Sequence, residues 1–331
     1  MRVTVLGAGA WGTAFGQVLA DAGNEVVMWA KEPEVVAAIR DEHRNPFRLP
    51  SVERLPDVMT ATGDQADAVA GSDLVVVAIA AQFARVALEP FRGLIPANAV
   101  VASLMKGIER GTDRRMDEVV RAALDLPVER FAAISGPNLS KEVAAREPAA
   151  TVVACSDIAV ARRVAEACTT PYFRAFVSRD VIGLEMCGSL KNVVALAVGM
   201  VRGAGYGENT AAMVETRGLA ELTALGSAAG ADPRTFSGLA GIGDLVATCG
   251  SPLSRNFTFG ANLGRGMSVV EATEASNGVA EGVPTTAAVI GLGRRLGVPT
   301  PLASAMGRVL EEAIPCSEML SLLFDEGIEE E

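Results

Sequence analysis

The 331-residue sequence predicts an α/β amino-terminal half, built on a doubly wound parallel sheet, followed by an all-α carboxyl-terminal half. Short apolar, β-rich runs alternate with helical stretches through the first 180 residues. A glycine-rich turn follows the first of these runs, and β-rich runs disappear after the last one. We therefore expect two domains, residues 1–180 and residues 181–331.

The β-rich runs of the first half are continuous rather than alternating with polar residues, as parallel strands covered on both faces require. The predicted strands are Val3–Leu6, Glu25–Ala30, Asp73–Ile79, Ala99–Ser103, Phe131–Ser135, Thr151–Ala154 and Phe173–Val177. Helices are predicted at Thr13–Ala22 and at Pro33–Glu42, where a proline occupies the first turn. Residues 44–58 contain three prolines and are predicted to form a loop within the first domain.

The second half is predicted to contain helices at Val181–Met200, Thr210–Ala229 and Thr285–Leu296. Its longest apolar run, residues 193–201, is bounded by Lys191 and Arg202. Crossing a bilayer takes about 20 apolar residues, so we expect no membrane insertion. The chain enters a predicted strand at once, with no pattern typical of a signal peptide. These features indicate a cytoplasmic protein.

The net charge of −11 argues against a nucleic-acid partner, because phosphate backbones are bound by basic surfaces. Any phosphate group must instead be held by a few local lysines and arginines. The chain has five cysteines, an odd number without a C-x-x-C motif, and one histidine. This composition predicts neither a disulfide framework nor a metal site.

Residues 7–12 read G-A-G-A-W-G, the pattern G-x-G-x-x-G, between a predicted strand and a predicted helix. In this pattern Gly7 allows the tight turn, Gly9 lets the backbone approach a pyrophosphate, and Gly12 lets the helix pack closely against the strand. Free amides at the helix amino terminus then face the pyrophosphate. The sequence therefore predicts a Rossmann-type domain that binds NAD or NADP.

The residues after the second strand bear on which nicotinamide is used. NAD-dependent enzymes usually place a carboxylate there to accept hydrogen bonds from the ribose 2′-hydroxyl. This chain has Ala30 in that position, followed by Lys31, which can attract a 2′-phosphate, and then Glu32. We expect NADPH to be preferred. The alternative is that Lys31 and Glu32 are simply a solvated pair.

Polar segments interrupt apolar surroundings at residues 103–107 (SLMKG), 135–138 (SGPN) and 188–192 (GSLKN). The first two follow predicted strands, at the sheet edge where open α/β folds bind ligands. Lys191 lies in an apolar predicted helix, where desolvation would lower its pKa and suit it to general acid–base catalysis. The alternative is a lysine at the helix edge that extends its ammonium group into solvent.

A further pair of polar clusters lies at residues 241–245 (GIGDL) and 248–256 (TCGSPLSRN). Ser254, Arg255 and Asn256 offer a hydroxyl, a bidentate guanidinium and an amide, a suitable set for binding a phosphate. Asp244 is placed to orient Lys191 and to support its charge. The two clusters together predict a substrate site for a phosphorylated molecule.

These segments, in their order along the chain, carry a resemblance to a known family. The segments are GAGAWGTA, LMKGIE, ISGPN, SLKNVVA, TRGLAE, LAGIGDLVATC, SRN and VAEG. Over nearly its full length the chain resembles the bacterial NAD(P)-dependent glycerol-3-phosphate dehydrogenases. The resemblance implies reversible reduction of dihydroxyacetone phosphate to sn-glycerol 3-phosphate with NADPH or NADH, supply of the glycerophospholipid backbone, and a homodimer.

The resemblance also implies roles for individual residues. Lys191 matches the proton donor and acceptor, Asp244 its partner, and Lys106 a lysine shared by cofactor and substrate. The positions that match cofactor contacts are Gly7, Gly9, Ala10, Trp11, Gly12, Lys31, Lys106, Ser140, Arg255, Val279 and Glu281. Those that match substrate contacts are Lys106, Gly136, Asn138, Lys191, Asp244, Ser254, Arg255 and Asn256. Asn138 and Ser140 depart from the usual family residues, and both replacements are small and polar.

Two other functions fit parts of the pattern. A two-domain reductase acting on a β-hydroxy acid or a keto acid would share the glycine turn and a helical lysine, but it needs a carboxylate clamp rather than the S-R-N set. A catalytically silent dinucleotide sensor would share the turn alone. The presence of Lys106, Lys191 and Asp244 together argues against the sensor.

Overall fold

A computed structural model of the chain describes residues 1–276 and 280–324. The chain divides into two compact units. The first, termed the sheet unit, comprises residues 1–106 and 115–185. The second, termed the helical unit, comprises residues 107–114, 186–276 and 280–324. No sequence pattern indicates that the short segment 107–114 belongs with the helices.

The strands of the described residues match most of the predicted β-rich runs. In chain order they are Arg2–Leu6 (β1), Glu25–Trp29 (β2), Met59–Thr62 (β3), Leu74–Val77 (β4), Val100–Ser103 (β5), Ile108–Glu109 (β6), Arg114–Arg115 (β7), Phe131–Ser135 (β8), Ala149–Ala154 (β9) and Phe173–Ser178 (β10). Strand β3 was not predicted, because it is a short edge strand whose residues, M-T-A-T, include only two apolar side chains.

Eight strands form one sheet in the order β10-β9-β8-β5-β4-β1-β2-β3, while β6 and β7 pair separately. The predicted parallel, doubly wound sheet is confirmed for β1, β2, β3, β4, β5 and β8. The prediction is wrong for β9, which runs antiparallel to β8, and therefore for β10, which is parallel to β9. The chain turns back at the end of β8, where Asn138 Nδ2 donates a hydrogen bond to Ala150 O in β9 (2.9 Å). Apolar runs do not encode strand direction.

Helices cover both the connections between strands and most of the second half. They are Ala10–Asp21 (α1), Pro33–Glu42 (α2), Gln65–Val69 (α3), Ala84–Leu88 (α4), Met116–Leu124 (α5), Ser140–Ala144 (α6), Ile158–Ala167 (α7), Val181–Gly203 (α8), Glu208–Ala228 (α9), Asp244–Cys249 (α10), Arg255–Gly264 (α11), Val269–Glu274 (α12), Gly282–Leu296 (α13), Pro301–Glu312 (α14) and Cys316–Phe324 (α15). Residues 43–58 contain no helix or strand, as predicted for the loop.

The core of the sheet unit lies between the sheet and its helices. Phe15 of α1 is fully buried and meets Phe173 of β10 edge-on, with ring centroids 6.1 Å apart. The sheet brings these side chains together although 158 positions separate them in the sequence. This packing holds α1 against the sheet, and α1 begins directly after the glycine turn.

Helix α8 is the longest helix of the described residues and is long and apolar enough to span a membrane. Of its most apolar 18-residue window, however, 89% is buried inside the protein. Such burial is typical of a core helix in a soluble protein. From residue 186 onward the helix forms the interior of the helical unit, and Ser189, Lys191 and Asn192 are buried within it.

Candidate active site

The glycine turn lies where the order of strands reverses. Strand β1 has β4 on one side and β2 on the other. At its carboxyl end, Gly7 N donates to Trp29 O of β2 (2.9 Å), and Ala78 N beyond β4 donates to Leu6 O (2.8 Å). A topological switch point of this kind opens the crevice in which doubly wound proteins bind their ligands.

Each glycine of the turn is required for a different reason. Gly7 has a φ of +114°, and a Cβ there would lie 2.6 Å from Ala78 O. A Cβ on Gly12 would lie 2.1 Å from Gly7 O. A Cβ on Gly9 would meet no atom within 4 Å, so it would project into open space in front of α1. A pyrophosphate can approach the backbone in this space only if no side chain occupies it.

The amino terminus of α1 fits the phosphates of a dinucleotide. The first amides of a helix have no partner within the helix and carry its positive dipole end. Among the described residues, no side chain caps α1 and no acidic residue lies in its first turn. Trp11 and Ala10, both predicted cofactor contacts, are in this first turn and are partly exposed. The residues present are therefore suited to holding NAD(P).

At the end of β2, the structure adds an arginine that the sequence did not predict. Ala30 is 2% exposed, whereas Lys31 is exposed at the surface. Glu32 precedes α2 and forms an ion pair with Arg48, at 3.6 Å between Arg48 Nη2 and Glu32 Oε1. Because Arg48 lies 16 residues further along the chain, in the proline-rich loop, no local pattern could have connected it with Glu32.

The carboxyl ends of β5 and β8 bring two predicted substrate contacts together. Lys106 follows β5, and its ammonium group donates to Gly136 O at 3.2 Å. Asn138 donates through Nδ2 to Ala150 O, while its Oδ1 is buried and has no hydrogen-bond partner among the described residues. Ser140 is the first residue of α6 and is half-buried. A buried amide oxygen without a partner is suited to a ligand that donates hydrogen bonds.

In the helical unit, Lys191 is buried in the middle of α8 and is 5% exposed. Its ammonium group is hydrogen-bonded to Asp244 Oδ1, and it donates to Thr248 Oγ1 at 2.7 Å. Asp244 is the first residue of α10 and is 2% exposed. The expected pairing of Lys191 with Asp244 is thus present, and the alternative of a lysine extending into solvent does not hold.

Thr248 lies one helical turn after Asp244 and completes this arrangement. Its hydroxyl accepts from Lys191 and donates to Asp244 O at 2.6 Å. Sequence analysis did not predict a role for Thr248. The signal that could have found it is its spacing of four residues from Asp244, which places both side chains on the same face of a helix. Neighbouring Cys249 is also buried, and burial raises its thiol pKa, so Cys249 remains a neutral thiol.

Helices α8 and α11 pack with their backbones in contact. A Cβ on Gly199 of α8 would lie 2.1 Å from Phe257 O, and one on Gly260 of α11 would lie 2.0 Å from Leu196 O. Only glycine allows such an approach. This packing fixes Arg255 and its neighbours, at the start of α11, relative to Lys191 of α8.

The start of α11 presents an anion-binding arrangement. Ser254 caps the helix by accepting a hydrogen bond from Phe257 N at 3.2 Å. Arg255 is the first residue of the helix and is exposed, so its guanidinium group can move to a ligand. Among the described residues, the first turn of α11 contains no acidic side chain. The predicted phosphate anchor is therefore placed at the positive end of a helix dipole.

Asn256 uses both ends of its amide inside the protein. Its Nδ2 donates to Asn192 Oδ1 at 2.9 Å, and its Oδ1 accepts from Gly282 N at 2.8 Å. Asn256 therefore connects α8 to the start of α13 and orients Asn192, the neighbour of Lys191. Of the late pair of predicted cofactor contacts, Glu281 precedes α13, whereas Val279 lies outside the described residues.

Within residues 1–276 and 280–324, no group of three or more histidine, cysteine, aspartate or glutamate side chains is placed to bind a metal ion. The five cysteines are free and buried. The arrangement contains instead a dinucleotide-binding turn in one unit and a buried lysine–aspartate pair in the other. The dinucleotide-binding turn and the sheet that carries it define the class of protein as an NAD(P)-dependent oxidoreductase.

Comparison with known proteins identifies the family within this class. The profile of the NAD-dependent glycerol-3-phosphate dehydrogenase N-terminus matches residues 2–161, and that of the C-terminus matches residues 180–321. A protein of Bifidobacterium longum subsp. infantis named glycerol-3-phosphate dehydrogenase [NAD(P)+] is 76% identical over 98% of this chain and 97% of its own. One of the same name from Corynebacterium kroppenstedtii is 50% identical over 98% of each chain.

A solved structure supports the same assignment. The crystal structure of a glycerol-3-phosphate dehydrogenase from Coxiella burnetii superimposes with a TM-score of 0.92 at 33% identity, covering 98% of this chain and 99% of that one. The chain belongs to the glycerol-3-phosphate dehydrogenase family. It is an NAD(P)-dependent enzyme.

Proposed function

We propose that the protein reversibly reduces dihydroxyacetone phosphate to sn-glycerol 3-phosphate, with NADPH or NADH as the source of the hydride. The observation that carries this proposal is the buried ammonium group of Lys191, held by Asp244 and Thr248. Membership in the glycerol-3-phosphate dehydrogenase family supports the choice of substrate.

Lys191 provides the proton that the reaction needs. Reduction turns the C2 carbonyl oxygen of the substrate into an alkoxide, and Lys191 Nζ protonates it; in the reverse direction the neutral amine removes that proton. A bound nicotinamide supplies or accepts the hydride. An isolated ammonium group would be costly to bury. The Asp244 carboxylate compensates its charge. Thr248 fixes the direction of the ammonium group by accepting one of its hydrogen bonds.

Arg255 binds the substrate phosphate in this proposal. Asn256 does not bind it directly but holds α11 in place relative to its neighbours. The guanidinium group is exposed at the first position of α11 and offers two parallel donors to phosphate oxygens. The family resemblance assigns Ser254 and Asn256 to the same substrate site. In the structure, Ser254 caps the helix and Asn256 braces Asn192, so both hold the site in shape.

The sheet-unit residues complete the proposal. Lys106 and Gly136, which are hydrogen-bonded to each other, and Asn138 remain predicted substrate contacts on the strength of the family resemblance. Ser140, Glu281 and Val279 remain predicted cofactor contacts on the strength of the family resemblance.

We expect NADPH to be preferred over NADH. Ala30 places no carboxylate at the usual ribose position, and Lys31 supplies a cation. Replacing Ala30 by Asp should shift the preference toward NADH, because a carboxylate repels a 2′-phosphate and accepts from a 2′-hydroxyl. Steady-state kcat/KM values for the two cofactors check this, and equal values in the wild type would contradict it.

In the cell, the proposed product serves as the backbone of glycerophospholipids, and we propose a cytoplasmic homodimer. The apolar helix α8 is mostly buried within the chain, which supports a protein that does not insert into membranes. Sedimentation equilibrium of the purified protein tests the dimer. A monomer at all protein concentrations would contradict it.

The proposed reaction is tested by incubating the protein with NADPH and dihydroxyacetone phosphate and following the absorbance of the reduced nicotinamide. Rapid oxidation supports the proposal. Oxidation only with a keto acid would instead indicate the reductase alternative. Binding of NADPH without turnover of either substrate would indicate a sensor.

A further inference from the structure

The proline-rich loop carries an arginine to the cofactor end of β2. Arg48 Nη2 lies 3.6 Å from Oε1 of Glu32, the residue that precedes α2, and both side chains are about half exposed, at 54% and 47%. An exposed ion pair of this kind contributes only about 0–1 kcal/mol to stability. Arg48 is therefore available to a ligand that offers a better anion than a single carboxylate.

Asn45 fastens this loop to the glycine turn. Its side chain is 1% exposed, and Nδ2 donates to Ala8 O at 2.9 Å and to Thr13 Oγ1 at 2.8 Å. On the loop side, Arg48 N donates to Asn45 Oδ1 at 3.3 Å and Leu49 N donates to Asn45 O at 2.9 Å. One buried amide thus connects the backbone of the pyrophosphate-binding turn with the backbone of Arg48. The position of Arg48 is set by the element that binds the cofactor.

Glu32 poses an electrostatic problem for NADP. It lies two residues after Ala30, near the place where an NAD enzyme keeps its ribose-binding carboxylate. Two charges 4 Å apart interact with about 1 kcal/mol in water and about 4 kcal/mol near a protein surface, so a carboxylate there disfavours a 2′-phosphate dianion. Arg48 offsets this repulsion, and its guanidinium group can also bind phosphate through two parallel hydrogen bonds.

We propose that Arg48 is a specificity-determining residue that contacts the 2′-phosphate of NADP and shields it from Glu32, with Asn45 as the positioning residue of its loop. This inference rests on the proposed preference for NADPH. When the ligand is NAD, Glu32 remains able to accept a hydrogen bond from the 2′-hydroxyl. The Glu32–Arg48 pair therefore explains how one site admits both nicotinamides while favouring one.

The test measures equilibrium binding of NADP+ and NAD+ to the full-length protein by titration calorimetry, which does not depend on turnover. We expect Arg48→Ala to weaken NADP+ binding by about 10-fold or more, the usual worth of a charge-assisted hydrogen bond, and to leave NAD+ binding nearly unchanged. Arg54→Ala is the matched control. Arg54 lies in the same loop and pairs with Asp57 at 2.6 Å, so its loss makes the same charge change without affecting the ratio.

A second variant separates direct contact from charge compensation. If Arg48 acted only by neutralising Glu32, the double variant Arg48→Ala/Glu32→Gln would recover full NADP+ affinity. We expect only partial recovery, because the phosphate still lacks its guanidinium partner; full recovery would overturn the direct contact. Asn45→Ala should lower the NADP+/NAD+ binding ratio in the same direction, because the backbone of Arg48 loses its connection to the glycine turn. An unchanged ratio in this variant would overturn the positioning role of Asn45.

The outcomes separate this inference from the function on which it rests. A wild-type protein that binds NADP+ and NAD+ equally would overturn both the preference and the role of Arg48. A wild-type preference for NADP+ that survives Arg48→Ala would overturn the role of Arg48 alone. In that case Lys31 would be the cation that binds the 2′-phosphate.

Discussion

At the scale of single residues, the proposed chemistry depends on a buried lysine whose positive charge is balanced by a neighbouring carboxylate. Lys191 is 5% exposed and contacts both Asp244 and Thr248. Removing one member of a buried ion pair leaves the other charge without compensation, at a cost of about 3–5 kcal/mol. Variants at Lys191 must therefore separate loss of chemistry from loss of the fold.

Lys191→Ala should lower kcat by about 10²- to 10⁴-fold, the usual contribution of a general acid, while NADPH binding stays close to wild type. Lys191→Arg is the companion variant, because it keeps a positive charge beside Asp244 but has a guanidinium group that does not release its proton. A folded Lys191→Arg protein with little activity supports the assignment. Near-wild-type kcat in either variant would contradict it.

Arg255→Ala should lower kcat/KM for dihydroxyacetone phosphate by about 30- to several-thousand-fold, corresponding to roughly 2–5 kcal/mol for a truncated charge pair. Arg255→Lys should recover only part of the loss, since a point charge cannot reproduce the two parallel hydrogen bonds. Unphosphorylated dihydroxyacetone should be a poor substrate and nearly insensitive to the change.

The matched control for this measurement is Arg265→Ala, which removes an exposed arginine from the other end of α11, where it contacts Asn262. It should leave kcat/KM nearly unchanged. If Arg255→Ala harms phosphorylated and unphosphorylated substrates equally, the guanidinium group does not bind the phosphate and acts on the cofactor or the fold.

At the scale of elements, glycines allow α8 and α11 to approach closely. Adding a methyl group to one of these glycines should therefore shift Lys191 on α8 relative to Arg255 on α11. Gly260→Ala places a Cβ 2.0 Å from Leu196 O, and the helices must separate. We expect a loss of stability of about 1–3 kcal/mol and a lower kcat. Thermal unfolding and steady-state kinetics measure these effects.

Gly207→Ala provides the comparison for that variant. Gly207 belongs to the same unit, has a negative φ of −85°, and a Cβ there would meet no atom within 4 Å. Its replacement should cost about 1 kcal/mol at most, because alanine is a poorer helix cap than glycine but its Cβ meets no steric obstacle here. Equal unfolding temperatures for the two variants would contradict the close packing of α8 and α11.

The start of α14 is capped by a carboxylate whose pKa makes stability depend on pH. Glu221 of α9 accepts hydrogen bonds from Leu302 N (2.7 Å) and Ala303 N (3.2 Å). Burial raises the pKa of Glu221 from 4.5 to about 7, against the opposing effect of these two hydrogen bonds. The folded protein therefore holds the Glu221 proton more tightly than the unfolded chain does. The protonated side chain contributes fully to stability below pH 4.5, and this contribution is lost as the pH rises toward about 7.

Glu221→Gln should remove this dependence, because an amide oxygen still accepts the hydrogen bonds and carries no charge to desolvate. The wild type should lose up to roughly 3 kcal/mol relative to the variant across this pH range. Unfolding free energies of both proteins as a function of pH measure the difference, and parallel curves would contradict the prediction. Glu271→Gln is the comparison in which stability should depend on pH in the opposite direction, since hydrogen bonds from Ser268 lower the pKa of Glu271.

At the scale of the whole molecule, the two units differ in how far sequence periodicity could describe them. The strands and helices of the sheet unit follow apolar runs and glycine punctuation, so most of their positions could be predicted within a few residues. The antiparallel pair β9 and β10 could not, because a valine-rich run is the same in either direction. Segment 107–114 groups with the helical unit, and no local pattern indicates this, since the contacts that place it are remote in sequence.

The sequence alone determined the α/β architecture of the first half, the dinucleotide turn, and the identity of Lys191, Asp244 and Arg255 as chemical candidates. Each depends on local pattern: periodicity, glycine spacing, or polar residues in apolar surroundings. Only the tertiary structure decided the partners, namely Thr248 on Lys191 and Arg48 beside Glu32. The reason is physical, because hydrogen bonds and ion pairs form between residues that folding brings together across long stretches of chain, and no local pattern records those distances.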